Sequence, residues 1–360
     1  MNKIYLNRLE TLRNRLEEKN LDGIYVTYLT NVRYLTGFSG SAGQALILPR
    51  GQHFLSDTRY AEQSQKQVKN FKIHMIENSY IQTLEKCNIL KKGLRIGFEE
   101  SKTSVSEFRK LTETFPQIDW IETENIIESI AAVKDVYEIE SLKKAIEITD
   151  VVFEEILPEL KIGAVEKEIA AKISYLFKMN GADGDSYDPI IASGYLGALP
   201  HATPSEKRFE SGDFVVMDIG AMYNGYHADM TRTVVIGKAS DKHYEIYNIV
   251  LEAQLAGIDA AKAGTTGREL DQVCRQIISD KGYGKEFCHT TGHGIGLEVH
   301  TYPRISKLNK KPLLENYVIT IEPGIYISGW GGVRIEDDCW IHVDGCTPLN
   351  KSTKELLILN

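Results

Sequence analysis

The chain has 360 residues, of which 42% are hydrophobic and 26% charged, a composition typical of a soluble globular protein whose length predicts two domains. Fifty acidic residues against 42 Lys and Arg give a formal net charge of −8, which argues against nucleic acid or an anionic membrane surface as the main partner. The acidic surplus has two interpretations: it serves solubility alone, or some of the carboxylates are clustered and bind metal.

No stretch approaches 18 consecutive apolar residues, so we expect no membrane-spanning helix. Residues 1–10 are charged and amphipathic and lack the apolar core of a signal peptide. The five cysteines are scattered and form no Cys-x-x-Cys pair, which disfavours a disulfide framework and a cysteine zinc site. This pattern favours a reducing compartment, and we expect a cytoplasmic protein.

Residues 1–132 are predicted to form an α/β domain, because helical and strand-like segments alternate along them. The predicted elements are a helix around 5–16, strands at 23–28, 44–48 and 53–56, and helices at 59–68 and 104–115. The glycine-rich segment Gly37–Gly43 lacks the Gly-Lys-Ser/Thr ending of a phosphate-binding loop and does not open a helix. We interpret it as a tight turn between strands.

Residues 133–360 are predicted to form a second domain, in which the order helix, helix, strand, strand occurs twice. The predicted segments are helices at 137–157 and 165–179, strands at 213–220 and 226–236, helices at 243–261 and 267–281, and strands from 317 onward. The repetition favours a domain of two similar halves.

Two aspartates lie on a predicted hairpin of this second domain. Asn224-Gly225 between two apolar runs is a strong signal for a two-residue turn. Counting outward from this turn places Gly220 opposite Asp229, so that Asp218 is a diagonal neighbour of Asp229 on the same face. Diagonal β-carbons lie within about 7–8 Å, close enough for two carboxylates to meet on one ion.

Two glutamates repeat this arrangement further along the chain. An apolar strand ends at Glu322, and a returning strand carries Glu336 after a glycine-rich loop. If that loop is centred near Gly329, the two glutamates lie directly opposite each other on one face.

The segment His289–His300 supplies candidate nitrogen ligands. His289 and His293 are four residues apart, a spacing that binds zinc on a helix, but the glycines among them argue against a helix. A loop that presents His293 or His300 fits the sequence better, and a purely structural hydrogen bond is the alternative for either histidine.

Together these segments offer four carboxylates and one imidazole. Two divalent cations carry the +4 that balances four ionised carboxylates, and paired ions of this kind lower the pKa of a bridging water. Such oxygen-rich ligation suits manganese or cobalt and is compatible with zinc or iron. The alternative for the two aspartates is that each has a separate basic partner, with Arg232 as a candidate.

The chain resembles the pita-bread metallopeptidases, a superfamily that includes methionine aminopeptidase, aminopeptidase P, prolidase and the non-metal creatinase. The segments that carry the resemblance are Asp218–Ala221, Gly225–Thr233, Gly292–Gly296, Ile321–Gly324 and Arg334–Asp337. Tyr34–Gly43 in the first domain is similar to the proline-specific branch, whereas methionine aminopeptidases usually lack such a domain.

The resemblance implies two divalent metal ions, manganese being expected and cobalt or zinc being alternatives. The implied ligands are Asp218, Asp229, His293, Glu322 and Glu336. Asp229 and Glu336 would bridge the ions, and Glu322 would also accept the proton of the attacking water.

Three further residues match positions near the reacting bond in the family. His201 would contact the substrate near the scissile amide, and His300 would stabilise the tetrahedral intermediate. Arg334 would lie near the site, where its planar guanidinium suits a carboxylate of the protein or of the substrate. Relatives commonly carry an acid where this chain has Thr301, which puts in doubt any bond made by that acid, and with it the metal preference or the rate.

The implied fold is α/β, with a creatinase-like N-terminal domain at 1–132 and a pita-bread catalytic domain of two pseudo-symmetric halves at 133–360. The implied activity is hydrolysis of the Xaa-Pro bond at the N-terminus of proline-containing di-, tri- or oligopeptides, with a homodimer as the expected assembly. The alternatives are an aminopeptidase of different specificity, a creatinase-like C–N hydrolase without metal, and a binding module that has lost catalysis. The intact ligand set disfavours the last two.

Overall fold

The structure of the protein is a computed structural model that describes residues 2–360. The chain divides into two units, Met1–Ala131 and Ala132–Asn360. Within residues 2–360, no helix has the length and hydropathy needed to cross a membrane.

The first unit combines a mixed sheet with short helices. Its strands are β1 (Gly23–Val26), β2 (Gln44–Leu48), β3 (Gly51–Asp57), β4 (Lys72–Ile76), β5 (Arg95–Glu99) and β6 (Asp119–Thr123). Its helices are α1 (Asn2–Glu18), α2 (Leu29–Thr36), α3 (Ala61–Gln67), α4 (Tyr80–Cys87), α5 (Val105–Thr114) and α6 (Ile126–Ala131). The strand order is β4-β3-β2-β1-β5-β6, with parallel pairing at β3–β4, β1–β5 and β5–β6. The predicted α/β alternation is confirmed.

The predicted turn between strands at Gly37–Gly43 is wrong, because a helix precedes this segment. The short helix α2 ends at Gly37, which has a left-handed φ of 78° and donates its N–H to the carbonyl of Arg33. Glycine tolerates this φ without the strain that a Cβ would bring. The segment therefore joins α2 to β2.

The second unit contains two pairs of long helices and several small sheets. Its helices are α7 (Val136–Ile156), α8 (Glu166–Met179), α9 (Asp241–Ala260) and α10 (Gly267–Asp280). Its strands are β7 (Gly184–Asp185), β8 (Ile190–Ser193), β9 (Phe214–Ile219), β10 (Ala221–Tyr223), β11 (Tyr226–His227), β12 (Met230–Ile236), β13 (Gly292–Gly294), β14 (Thr301–Ile305), β15 (Val318–Ile321), β16 (Gly324–Ile327), β17 (Gly331–Arg334), β18 (Asp337–Ile341), β19 (Cys346–Pro348) and β20 (Ile358–Leu359).

Each helix pair buries its apolar stripe against one sheet of the second unit. Helices α7 and α8 pack on the sheet β20-β12-β9-β8 through a core that includes Val152, Phe177 and Met217. Helices α9 and α10 pack on the sheet β14-β13-β15-β18-β19 through a core that includes Val250 and Ile319. The predicted order of helix pairs followed by strands is confirmed, and it places one acid-bearing hairpin in each half.

The first acid-bearing hairpin has the predicted register. Asn224 and Gly225 both have positive φ, 50° and 70°, as a type I′ turn requires. Beyond the turn, Thr231 pairs with Asp218, which makes Asp218 and Asp229 diagonal neighbours. The two strands approach each other closely at Gly220, where a Cβ would lie 1.9 Å from the backbone carbonyl oxygen of Ala228.

The second acid-bearing hairpin is centred on Gly329, as predicted. Gly324 pairs with Arg334 inside the hairpin, and Ile321 pairs with Asp337 on the far side, in the same continuous register. Glu322 and Glu336 therefore lie opposite each other between these two stretches of pairing.

Candidate metal centre

One cavity of about 530 Å³ in the second unit collects every side chain predicted for the site. The two hairpins supply the four carboxylates, and β13 supplies the imidazole. The predicted residues that line the cavity are His201, Asp218, Asp229, His293, His300, Glu322, Arg334 and Glu336. The fold thus brings these residues to one cavity, although they are up to 135 residues apart in the chain.

The candidate ligand atoms converge around His293. Its Nε2 lies 3.6 Å from Oδ2 of Asp229 and 3.4 Å from Oε1 of Glu322. Asp229, His293 and Glu336 each offer one ligand atom, and these atoms lie within 4.8 Å of one another. His293 belongs to the strand β13. The expectation that the glycines exclude a helix here is confirmed, but the loop predicted at His293 is wrong.

Burial disfavours the ionised form of the clustered carboxylates unless a positive charge compensates them. Burial and the neighbouring Asp218 raise the pKa of Asp229 well above its ordinary value, and burial and Asp229 raise the pKa of Glu336 in the same way. Burial also raises the pKa of Glu322, whereas it lowers the pKa of His293 to about 4. The imidazole is therefore neutral near pH 7 and available as a ligand.

One carboxylate oxygen of the cluster has no partner within the described residues. Glu336 is 1% exposed, and its Oε1 is buried without a hydrogen bond. A buried acceptor left unpaired is costly, and metal coordination satisfies it. The donor set of four carboxylates and one neutral imidazole fits divalent cations.

The partner of the Arg334 guanidinium is a carboxylate of the protein, that of Asp218. Its Nη2 donates to Oδ2 of Asp218 at 2.5 Å, and its Nε donates to Oγ1 of Thr231 at 2.9 Å. The Thr231 hydroxyl in turn donates to Oε2 of Glu336 at 2.7 Å. Arg334 therefore orients one acid from each hairpin, directly or through Thr231.

Arg232, the alternative partner considered for the two aspartates, pairs elsewhere. It lies on the opposite face of β12, where its Nη2 donates to Oδ1 of Asp337 at 2.7 Å. The strand alternation explains the outcome, because residues 231 and 232 point to opposite faces.

Tyr187 is a site residue that the sequence analysis missed. Its hydroxyl lies within hydrogen-bond distance of Oδ1 of Asp218 and 2.5 Å from Oδ1 of Asp229. Burial and these two acids raise the pKa of Tyr187 well above its ordinary value. The residue lies in the loop between β7 and β8 without a motif of its own, and only the tertiary fold brings it to the hairpin.

Two further contacts, made by Tyr326 and Asp338, support the cluster and were missed by the sequence analysis. The Nε2 atom of His289 lies 2.8 Å from the Tyr326 hydroxyl, which accepts a hydrogen bond from Nη1 of Arg334 at 2.8 Å. The backbone N–H of Asp229 donates to Oδ2 of Asp338 at 3.0 Å. Both contacts fix groups of the cluster from outside it.

The two other predicted histidines lie at the edge of the cluster. The ring of His300 lies 4.3 Å from the ring of His293, centroid to centroid. Burial and His293 lower the pKa of His300 to about 4, so its ring is neutral near pH 7. His201 is exposed after the short 3₁₀ helix Gly194–Ala198. The Thr301 hydroxyl donates along its own strand to the carbonyl of Tyr302 at 3.3 Å.

Comparison with known proteins decides the family. Residues 140–342 match metallopeptidase family M24, and residues 8–133 match the creatinase/prolidase N-terminal domain. The chain belongs to metallopeptidase family M24. This M24 peptidase is 41% identical to the Xaa-Pro dipeptidase of Pyrococcus furiosus, over 97% of this chain and 99% of that relative.

Solved structures agree with this assignment. The Xaa-Pro dipeptidase from Bacillus anthracis is 42% identical, with a TM-score of 0.93, over 99% of this chain and 100% of that chain. The X-Pro aminopeptidase from Thermotoga maritima is 39% identical, with a TM-score of 0.87, over 94% of this chain and 98% of that chain. The resemblance drawn from the motifs and the α/β fold class are confirmed. The protein is a peptidase, and the family together with the donor cluster supports the use of divalent metal.

Proposed function

We propose that this M24 peptidase hydrolyses the bond between an N-terminal residue and a following proline, and that Xaa-Pro dipeptides are its preferred substrates. The observation that carries the proposal is the convergence of four carboxylates and a neutral imidazole in one cavity, in a chain about 40% identical over nearly its full length to proteins named Xaa-Pro dipeptidase. We assign the catalytic role to the domain at 133–360.

The five residues that would hold two divalent ions are Asp218, Asp229, His293, Glu322 and Glu336. The orphaned Oε1 of Glu336 and the raised pKa values of the buried acids support this assignment. We propose manganese as the resident metal, since the donor set is mostly oxygen, with cobalt and zinc as the alternatives to test. When bound, the ions supply a Lewis acid and lower the pKa of water.

The protein's own groups have separate proposed tasks in hydrolysis. Glu322 accepts the proton of the attacking water, because burial raises the pKa of this carboxyl toward the working range and the Thr320 hydroxyl, 3.3 Å away, orients it. His300, neutral near pH 7, donates an N–H bond to the oxygen that gains charge in the tetrahedral intermediate. His201 contacts the substrate near the scissile amide, and Arg334 holds Asp218 in place.

The preference for dipeptides rests on Arg304. This exposed arginine lines the cavity and is paired in the β13–β14 register with His293. Among the residues that the structure describes, it makes no hydrogen bond or ion pair through its guanidinium. A free carboxylate on the proline of a dipeptide is the partner that a bidentate guanidinium recognises best.

The test compares hydrolysis of an Xaa-Pro dipeptide with that of an Xaa-Pro-Yaa tripeptide, in protein freed of metal and reloaded with Mn²⁺, Co²⁺ or Zn²⁺. We expect the dipeptide to be cleaved faster, with Mn²⁺ giving the highest rate. Cleavage of neither peptide with Mn²⁺ or Co²⁺ would overturn the proposal, and faster cleavage of the tripeptide would replace the dipeptide preference with an aminopeptidase preference.

Two variants distinguish a metal-dependent peptidase from the alternative functions, a creatinase-like hydrolase and a binding module. Asp229→Ala and Glu336→Ala are expected to lose bound metal and turnover together. Retained turnover in the metal-free variants would favour a creatinase-like hydrolase, and a parent protein without turnover on any Xaa-Pro peptide would favour a binding module. We also propose a homodimer, which sedimentation analysis of the purified protein tests directly.

A further inference from the structure

An ion pair outside the catalytic cavity contacts the segment that leads into β13, the strand that carries His293. Asp271 and Arg275 are one turn apart on α10. Nε of Arg275 donates to Oδ2 of Asp271 at 2.9 Å, and Nη2 donates to Oδ1 at 2.8 Å. Asp271 is 1% exposed, so the pair is largely shielded from water. Neither residue belongs to the motifs that identified the site.

The remaining hydrogen-bonding capacity of this pair is directed at the segment Phe287–Thr291. Nη1 of Arg275 donates to the carbonyl of Phe287 at 2.9 Å, and Nη2 donates to the carbonyl of His289 at 2.8 Å. Oδ1 of Asp271 accepts the backbone N–H of Thr291 at 3.2 Å and its hydroxyl at 3.0 Å. Every second residue of the segment is thus bonded to α10: Phe287 and His289 accept from Arg275, and Thr291 donates to Asp271.

The far side of the same segment faces the candidate metal centre. The carbonyl of Thr291 accepts the backbone N–H of Glu322 at 2.8 Å. The ring of His289 bonds the Tyr326 hydroxyl, and His293 follows two residues after Thr291. The segment therefore lies between the ion pair and three groups of the cavity.

We propose that Asp271 and Arg275 are positioning residues, which set the places of His289, Glu322 and His293 through the backbone between Phe287 and Thr291. The chemistry explains why an ion pair is used. Bonding two carbonyls and one N–H at once requires a side chain with several donors and one with several acceptors, and guanidinium and carboxylate provide them in a fixed geometry. A buried ion pair adds little net stability over apolar packing, so a geometric task accounts for its presence better.

This inference rests on the proposed function, because the groups it positions are the proposed ligands and proton acceptor. Two variants test it. Arg275→Lys keeps the positive charge but loses the planar guanidinium with its several N–H donors. Asp271→Asn keeps one acceptor oxygen but loses the negative charge. Asp280→Asn is the matched control, since it makes the same change from carboxylate to amide in an exposed bond from Gln276 on the same helix, without touching the segment.

We expect kcat on an Xaa-Pro dipeptide to fall roughly 10- to 100-fold in both variants, since misplacement by about 1 Å costs this much, while KM changes less than about threefold. The visible spectrum of the Co²⁺-loaded protein is expected to change in both variants and not in the control. In the metal-free protein, amide hydrogen exchange of residues 287–293 is expected to be faster in both variants than in the control.

Two outcomes overturn the proposal. One is parental kcat, cobalt spectrum and exchange in folded Arg275→Lys and Asp271→Asn proteins. The other is failure of both variants to fold, which would make the pair a determinant of stability alone. If the parent protein cleaves no Xaa-Pro peptide, the proposed function fails, while the cobalt spectrum and the exchange rates still decide whether the pair positions the segment.

Discussion

Removal of the Tyr187 hydroxyl is the sharpest test of how the first hairpin holds its two aspartates. In the Tyr187→Phe variant, Oδ1 of Asp218 and Oδ1 of Asp229 lose the phenol that lies between them. A hydrogen bond to a charged group contributes about 1.5–3 kcal/mol, and groups that orient metal ligands typically alter metal affinity about 10- to 100-fold. We therefore expect Mn²⁺ to bind the variant roughly 10- to 100-fold more weakly.

The assay is calorimetric titration of Mn²⁺ into protein stripped of metal, followed by kcat at saturating Mn²⁺. Weak binding with nearly parental kcat at saturation is the expected pattern, because the hydroxyl bonds two proposed metal ligands and excess metal compensates for their weaker hold on the ion. Tyr223→Phe is the matched control, since Tyr223 lies on the same hairpin next to the turn. Parental Mn²⁺ affinity in Tyr187→Phe would refute the reasoning.

Three further predictions concern the same cavity. Thr231→Val removes the hydroxyl that links Nε of Arg334 to Oε2 of Glu336, and we expect kcat to fall about tenfold at saturating metal; unchanged kcat would contradict the linking role. In metal-free protein, burial raises the folded-state pKa of Asp229 above its unfolded value. Below the unfolded pKa the carboxyl is protonated in both states and does not change the free energy of unfolding. As pH rises from there through the raised pKa, the carboxyl progressively lowers that free energy. Urea unfolding at pH 5 and pH 8 is therefore expected to show a smaller loss of stability in Asp229→Asn than in the parent, and equal losses would contradict the prediction. Arg304→Gln is expected to lower kcat/KM for the dipeptide about 10-fold or more and for the tripeptide much less, whereas equal losses would count against a carboxylate partner.

The hairpin registers were predictable from the sequence because they depend on short-range rules. A turn signal fixes the centre of the hairpin, and the two-residue period of a strand then decides which side chains share a face. Asp218 and Asp229 therefore had to be diagonal neighbours once Asn224-Gly225 was placed in the turn, and the structure confirms this register.

The contacts that cross between distant segments were not predictable in this way. Tyr187 reaches the first hairpin from a loop with no periodicity, and Arg334 reaches Asp218 across 116 residues. The helix α2 was also missed, because eight residues carry too weak a periodic signal to stand out between two strands. These features depend on the packed fold, in which local preference gives way to tertiary contacts.

In both hairpins, the face on which an acid lies depends on whether an odd or an even number of strand residues separates it from the turn. This dependence restricts the lengths that the strands can have. One residue inserted in the strand between the Asn224-Gly225 turn and Asp229 would carry this aspartate to the opposite face, whereas two inserted residues would restore the face shared with Asp218. The same arithmetic applies to the strand residues between Gly329 and either Glu322 or Glu336. Length changes within these strands are therefore expected to be tolerated only in steps of two, whereas one added residue at either tip can be taken up by a longer loop.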